Sequence, residues 1–282
     1  GGPAGMKAAC TAAERGHKVF LVEKSDRLGG QLLLNRNIPG REEMATVVED
    51  LLNNLNALKV DILLNKEVNQ RFIKTVAPDT VVLATGACPI LPDIKGIENE
   101  RTLQAWDVIR GEAKVGERVV IIGGNAVGLE TALTLAHQGT ISPEVLYFLL
   151  VNRAESWDAL EVLTSRGSKD VTVLEMTGRA GKDIGSSSRW TVMAELKRLG
   201  VTVMTGAKAI KIGPVGVHIE KDGRMEILPA DSVVMACGSR AENRLYREIE
   251  DLVPEIYIIG DAKEPRNALS AIKEGFLTGL KI

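Results

Sequence analysis

Aromatic residues make up only 4% of this 282-residue chain, too few for the stacking platforms that grip single-stranded nucleic acid. Charge of one sign is missing as well. Lys and Arg total 35 against 37 Asp and Glu, a formal net charge of −2, so no global field draws the chain to a phosphate backbone. No apolar run is long enough to span a bilayer, and the opening residues lack the charged-then-apolar plan of a secretory signal. The three cysteines, Cys10, Cys88 and Cys237, form no CxxC pair and no metal-ligand cluster. A dithiol relay is therefore excluded, and no metal site is expected. Each cysteine lies in or beside an apolar segment, where a reduced, buried thiol is expected, in keeping with a cytoplasmic setting. What is plentiful is small and aliphatic: 28 glycines within 45% hydrophobic residues, a composition that suits α/β nucleotide-binding domains.

The chain is organised around the run from Arg118 to Glu130, RVVIIGGNAVGLE. Val119 to Ile122 read as a buried parallel strand. Gly123 and Gly124 then permit a tight turn with its backbone close to a ligand, and Gly128 permits close packing of the next helix on the strand. That helix aims its free N–H groups and positive dipole end at whatever lies over the turn, which suits a pyrophosphate. The pattern is G-x-G-x-x-G except that Asn125 replaces the second Gly, with Ala126 and Val127 between. The Asn125 side chain takes space where a pyrophosphate approaches a glycine backbone. Asn tolerates left-handed geometry and donates hydrogen bonds, so altered or weakened binding is expected, not its loss. Taken alone, the run also fits an α/β domain that binds nothing at this turn.

A second copy changes the reading. Gly1-Gly2-Pro3-Ala4-Gly5 is the latter half of a glycine turn entering an Ala-rich helix that stops at Gly16. Lys18 to Glu23 is a strand ending in an acid, near the spacing at which a carboxylate reaches a ribose hydroxyl. No apolar strand precedes Gly1, so the chain is expected to begin inside the motif, as a fragment lacking the central strand of its first sheet. Gly29-Gly30-Gln31 is a further glycine turn, compatible with a plain loop or with close approach to a cofactor. A helix is expected from about Glu42 to Leu58, strands at 60–64 and 79–86, and one helix, 103–110, in a connector. In the second pass, 171–175 is a strand ending in Glu175. A helix at 189–199 follows, capped by Ser187 or Ser188, then a strand at 201–204. Asp222-Gly223 marks a hairpin between 215–220 and 224–228. The run 231–238, DSVVMACG, parallels 79–86, DTVVLATG, position by position. Glycine turn, acid-terminated strand and Asp-x-Val-Val-x-Ala-x-Gly thus each occur twice in the same order.

Residues 140–170 interrupt the second copy. Ser142-Pro143-Glu144 opens one helix with Val145, Leu146, Phe148 and Leu149 as its apolar face, and Ser156-Trp157-Asp158 opens another. A helical hairpin packed on the domain edge is expected, with partner docking as the alternative. The tail, Pro254 to Asp261, is a strand ending in Gly-Asp, followed by a helix from about Ala268.

These motifs resemble the flavoproteins with two dinucleotide-binding domains, which carry GxGPAG, ATG, a central GxGxxG and a late GD; here these are Gly2–Gly5, Ala84–Gly86, Gly123–Gly128 and Gly260–Asp261. The runs Gly139-Thr140-Ile141-Ser142, Gly206-Ala207-Lys208 and Ile259 to Arg266 further resemble the C-terminal half of the NADH:flavin oxidoreductases similar to 2,4-dienoyl-CoA reductase and 2-enoate reductase. The resemblance implies an α/β fold of two Rossmann-like domains, the second inserted in the first: an FAD domain at 1–112 and 240–282 and an NAD domain at 113–239. It also implies a partner, an N-terminal barrel holding FMN and a [4Fe–4S] cluster, which this sequence does not contain; a homo-oligomer is possible.

Carried over by motif, Gly2, Pro3, Ala4 and Gly5 would hold the FAD pyrophosphate, and Glu23 with Lys24 the adenosine ribose. Gly29, Gly30 and Gln31 would run toward the flavin, Ala84, Thr85 and Gly86 close over it, and Asp261, with Gly260, bind the ribityl region. Ala268 would begin a helix facing the flavin carbonyls. Gly123, Gly124, Asn125, Ala126, Val127 and Gly128 would take the nicotinamide cofactor's pyrophosphate, with Gly238 at the same edge. Glu130 falls at a position close to the nicotinamide, or is a solvated helix acid. Glu175 would accept from both ribose hydroxyls and repel a 2′-phosphate, which predicts NADH over NADPH, although Arg179 and Lys182 nearby leave NADPH open. Hydride transfer between such cofactors needs proximity and orientation, so no catalytic side chain is assigned.

The function implied is an NADH-dependent flavin oxidoreductase module that passes electrons to an absent barrel reducing an unsaturated, enoate or dienoyl-CoA type substrate. Two alternatives remain: a non-redox, ADP-binding structural domain, and a small subunit of a glutamate-synthase-like complex, against which the 140–170 insertion argues.

Overall fold

A computed structural model describes residues 1–282. From the start come α1 (Pro3–Glu14), β1 (Phe20–Val22), α2 (Thr46–Ala57), β2 (Asp61–Leu63), α3 (Gln70–Val76), β3 (Thr80–Leu83) and β4 (Ala87–Pro89). There follow β5 (Thr102–Gln104), α4 (Ala105–Arg110), β6 (Arg118–Ile122), α5 (Ala126–Ala136), α6 (Pro143–Val151), α7 (Trp157–Ser165), β7 (Asp170–Glu175), α8 (Ser186–Arg198), β8 (Thr202–Thr205), β9 (Ala207–Ile212), β10 (Gly216–Lys221), β11 (Arg224–Pro229) and β12 (Ser232–Met235). The chain ends with β13 (Ser239–Ala241), α9 (Arg244–Ile249), β14 (Glu255–Ile258) and α10 (Ala268–Gly279). No helix is long and apolar enough to cross a membrane.

These elements form two compact units: Gly1–Arg36, Gly40–Cys88 and Ser239–Ile282 make the first, Asn37–Pro39 and Pro89–Gly238 the second. The sequence places the first boundary at 112/113. Residues 89–112 instead group with the second unit. Part of the expected 103–110 helix is the strand β5, which pairs in parallel with β12, and Ala105 and Val108 of α4 enter that unit's core.

The second unit is three-layered around a parallel sheet of order β5-β12-β6-β7-β8. Strand alternation divides β6 between two cores. Val119 and Ile121 pack with α5 and α8 residues such as Leu129, Leu135 and Leu196. Val120 and Ile122 pack with Val217 and Ile219 of the antiparallel β11-β10-β9 sheet. A strand buried on both faces needs an unbroken apolar run, which is what 119–122 supplies. Asp222 and Gly223, at φ 51° and 71°, make the expected turn between β10 and β11.

The insertion is helical, and Ser142 and Ser156 cap α6 and α7 by accepting from Val145 and Ala159 N–H. The expected packing of the first helix is corrected: α6 buries no residue, and Val145 and Phe148 are exposed; only Leu160 of α7 is buried. The cap of α8 is Gly185, with Ser187 and Ser188 already helical.

In the first unit β1 pairs in parallel with β2, and β3 with β14, as two separate ladders. Helix α10 lies on α1 through small residues. A methyl carbon at Gly275 would overlap the Ala4 carbonyl oxygen, and one at Gly279 would come within 2.7 Å of Thr11 Cβ. Gly275→Val is therefore expected to lift α10 off α1 and cost about 3 kcal/mol of stability, the upper part of the usual range for overpacking. An unchanged urea midpoint would contradict this contact.

Candidate functional site

In the second unit β6 ends directly at Gly123, on the edge where its parallel neighbours β7 and β12 also end. Gly123 has φ 113°, and a side chain there would overlap the Ala236 carbonyl. Gly128 lies against the Gly123 carbonyl oxygen. Both glycines are demanded by backbone proximity. Asn125 takes the N-cap of α5 at φ −79°, so its tolerance of left-handed geometry is not used. Its Oδ1 accepts from Gly128 N–H at 3.0 Å, and its Nδ2 donates to the Ala236 carbonyl at 2.7 Å. The side chain is folded back as a cap and ties the turn to the end of β12.

Glu175, the last residue of β7, reaches this turn. Its Oε2 accepts from Gly124 N–H at 3.0 Å and its Oε1 from Thr177 N–H at 2.8 Å. Both oxygens keep lone pairs for further donors. Ala126 and Val127 open α5, and the Ala126 N–H meets Asp183, with both carboxylate oxygens at 2.9 and 3.0 Å. Glu130 is buried at 8% exposure, which corrects the alternative of a solvated helix acid. Gly238, at φ 90°, follows β12, and its carbonyl accepts from Ile90 N–H.

The first unit repeats the arrangement. Gly2 caps α1 with Pro3 at its first position, as Asn125 caps α5. Glu23 Oε2 lies 3.0 Å from the Gly1 nitrogen, and its Oε1 accepts from Ser25 N–H at 2.8 Å. Each acid thus holds the residue before the helix cap and the N–H two residues after itself. Lys24 is exposed. Gly29 N–H donates to the Gly1 carbonyl at 2.7 Å, and a carbon on Gly30 would lie 3.0 Å from Gly2 Cα. The structure therefore brings Gly29 and Gly30, at φ 123° and 54°, onto the Gly2–Gly5 turn. Gly5 approaches Ala84, and Gly260 approaches Ala4.

β3 and β14 run in register, which puts Ala84, Thr85 and Gly86 at the same strand ends as Gly260 and Asp261. Thr85 Oγ1 donates to the Glu242 carbonyl, and Glu242 N–H donates to the Gly86 carbonyl. Gln31 Nε2 donates to Asp261 Oδ2 at 3.1 Å, and Arg266 N–H to Asp261 Oδ1 at 3.2 Å. Ala268 begins α10, capped by Asn267 accepting from Ser270 N–H.

Several residues at these turns escape sequence reading. Ser25 and Thr177 share a signal, a hydroxyl residue two after each strand-ending acid. Asp183 has none. Nor does Glu274, which accepts from Gly260 N–H at 2.8 Å and pairs with Arg266. Burial pushes the Glu274 carboxyl up, but the Arg266 guanidinium and Gly260 N–H outweigh it and hold the group below its usual range. A carboxylate with a lowered folded pKa stabilises above its unfolded pKa and loses that contribution as pH falls through the folded value. The melting-temperature gap between wild type and Glu274→Gln is therefore expected to close on acidification, and a gap that widens would contradict the pairing. Of the three cysteines only Cys10 is fully buried; Cys88 and Cys237 are half-buried, a correction to the expectation for all three. No cluster of metal-ligating side chains is present.

Residues 1–275 match the family model described as pyridine nucleotide-disulphide oxidoreductase. The chain is 41% identical to a metal reductase of Desulforamulus reducens over 99% of its own length and 42% of that protein. It is 35% identical to an NADH oxidase of Thermoanaerobacter brockii over 100% of its length and 40% of that protein. A solved 2-naphthoyl-CoA reductase in complex with 2-naphthoyl-CoA superposes with a TM-score of 0.85 at 31% identity, covering 100% of this chain and 38% of that one. The chain thus spans about two fifths of the length of these relatives.

Proposed function

This chain belongs to the pyridine nucleotide-disulphide oxidoreductase family, and on that premise we propose that it is the NADH-accepting, FAD-holding module of a larger reductase. Its fold is that of the FAD- and NAD(P)-binding oxidoreductases of Rossmann type, and its relatives are named as reductases and an oxidase. The observation that carries the proposal is the doubled cradle: a glycine turn that opens a helix, held by the acid at the end of the strand after that helix, once around Glu23 and once around Glu175. A side chain at Gly123 or Gly128 would strike the Ala236 or the Gly123 carbonyl, so these glycines keep the second turn packed on its own sheet, with the N-terminus of α5 at the sheet edge, where a phosphate group would bind.

Gly2, Pro3, Ala4 and Gly5 would take the FAD pyrophosphate at the N-terminus of α1, and Glu23 the ribose, with Lys24 beside it. Gly29, Gly30, Gln31, Ala84, Thr85, Gly86, Gly260 and Asp261 would line the flavin end. The Gln31–Asp261 hydrogen bond supports this by orienting a carboxylate beside that turn. Gly123 to Gly128 would take the nicotinamide nucleotide's pyrophosphate, Glu175 its ribose, and Glu130 and Gly238 would stand nearer its nicotinamide. Once bound, the pair of cofactors supplies hydride transfer from nicotinamide to flavin. The protein's part is to bind and orient. The remaining length of the relatives supports an additional domain, which we take to be an FMN and iron–sulphur barrel acting on an unsaturated substrate.

Isothermal titration tests the two-cradle reading. FAD and NADH are expected to bind independently, so saturation with FAD leaves NADH binding intact. Mutual exclusion of the two nucleotides would sink it.

A further inference from the structure

Besides the Asn125 cap that replaces Gly2, the two cradles differ at the first N–H of their helices. At the N-terminus of α5 the first helical N–H, that of Ala126, is held by both carboxylate oxygens of Asp183. At the matching place on α1 stands Pro3, which has no N–H to hold. Asp183 comes from the loop between β7 and α8, and that loop is anchored on the turn. Gly181 N–H donates to the Gly124 carbonyl at 2.6 Å, Arg189 Nε donates to the Ala180 carbonyl at 2.7 Å, and Ala180 and Ile184 are buried. Asp183 itself is exposed. Its carboxylate can swing into water while the loop backbone stays in place.

From this geometry, and resting on the function proposed above, we propose that Asp183 is an anionic latch on the nicotinamide-nucleotide cradle. A carboxylate and a diphosphate oxygen compete for the same N–H donors and dipole end, so an incoming dinucleotide must displace Asp183 from Ala126 or bind against its charge. With Glu175 on Gly124 and Asn125 on Gly128, the protein's own oxygens hold three N–H groups of this turn. The result is a weaker, exchangeable site. The α1 cradle has Glu23 on Gly1 as the counterpart of Glu175 but nothing in the place of Asp183 or of the Asn125 side chain, and it suits a resident group. The asymmetry matches the chemistry: a flavin stays, whereas a nicotinamide nucleotide must leave after each hydride it delivers.

Two substitutions in the full chain test the latch. Asp183→Asn removes the charge, and Asp183→Ser leaves a short neutral acceptor for Ala126. Titrated with ADP-ribose and with NADH, both variants are expected to bind about tenfold more tightly than wild type, the scale of one charge-assisted hydrogen bond. Binding of adenosine, which lacks phosphate, is expected to stay unchanged, which a general structural effect would not produce. Wild-type-like or weaker ADP-ribose affinity in both variants, with melting temperatures retained, overturns the latch and leaves the proposed function standing. Absence of ADP-ribose binding in wild type and variants alike overturns both.

Discussion

Gly128→Val is expected to remove NADH binding by the second unit, lowering affinity at least about 100-fold, and to lower the melting temperature as well. A side-chain carbon at this position would overlap the carbonyl oxygen of Gly123 and approach Ala236 Cβ at 3.4 Å. The obstacle on one side is backbone, which no rotamer change relieves, so α5 must move off β6. The helix start and the glycine turn then part by a fraction of an ångström or more. Loss of two charge-assisted hydrogen bonds to the turn's N–H groups, at about 1.5 kcal/mol or more each, amounts to roughly 100-fold in affinity, and overpacking costs about 1–3 kcal/mol. Gly178→Ala is the control. It lies in the same unit, nothing stands within 4 Å of the added carbon, and its φ is not in the left-handed region. It is expected to bind and melt as wild type does. Calorimetric titration and thermal melts read both, and wild-type NADH affinity in Gly128→Val would contradict the packing.

Replacing Glu175 should change which nicotinamide nucleotide the chain prefers. The carboxylate is fixed by Gly124 N–H and Thr177 N–H, at 3.0 and 2.8 Å, with lone pairs left for ribose hydroxyls. A hydrogen bond to a charged group contributes about 1.5–3 kcal/mol, and about 1.4 kcal/mol is tenfold in affinity. Glu175→Gln keeps the shape but loses the charge, and its amide group turns N–H donors toward at least one of those two amides. NADH affinity is expected to fall about tenfold or more. NADPH affinity is expected to rise, because the repulsion of a 2′-phosphate is gone while Arg179 and Lys182, in the loop that follows, remain. A ratio of NADH to NADPH dissociation constants identical in wild type and Glu175→Gln would remove the assigned role.

What was legible in the sequence is what depends on local chemistry. A strand buried on both faces needs an unbroken apolar run, and a turn that grazes backbone needs glycine. An acid ending the next strand is visible because it recurs. These signals place both glycine turns and the acids that hold them, Glu23 and Glu175, and serine caps locate the helices of the insertion. Tertiary choices were not legible. Nothing in 89–112 states that β5 will pair with a strand some 130 residues later. The apolar residues of α6 suggest a buried face, yet the helix buries none. Asn125 reads as an obstruction until its side chain is seen turned back onto Gly128 and Ala236. Asp183 carries no periodicity, and its contact with Ala126 appears only in the fold, where Gly181 N–H donates to the Gly124 carbonyl.

Anaerobic titration of the purified, FAD-loaded chain with NADH tests the pairing of the two cradles most directly. The flavin absorbance is expected to bleach with about one NADH per chain, since a two-electron hydride reduces one flavin. A flavin that NADH leaves coloured, or a colourless protein from which acid releases only ADP, would contradict it.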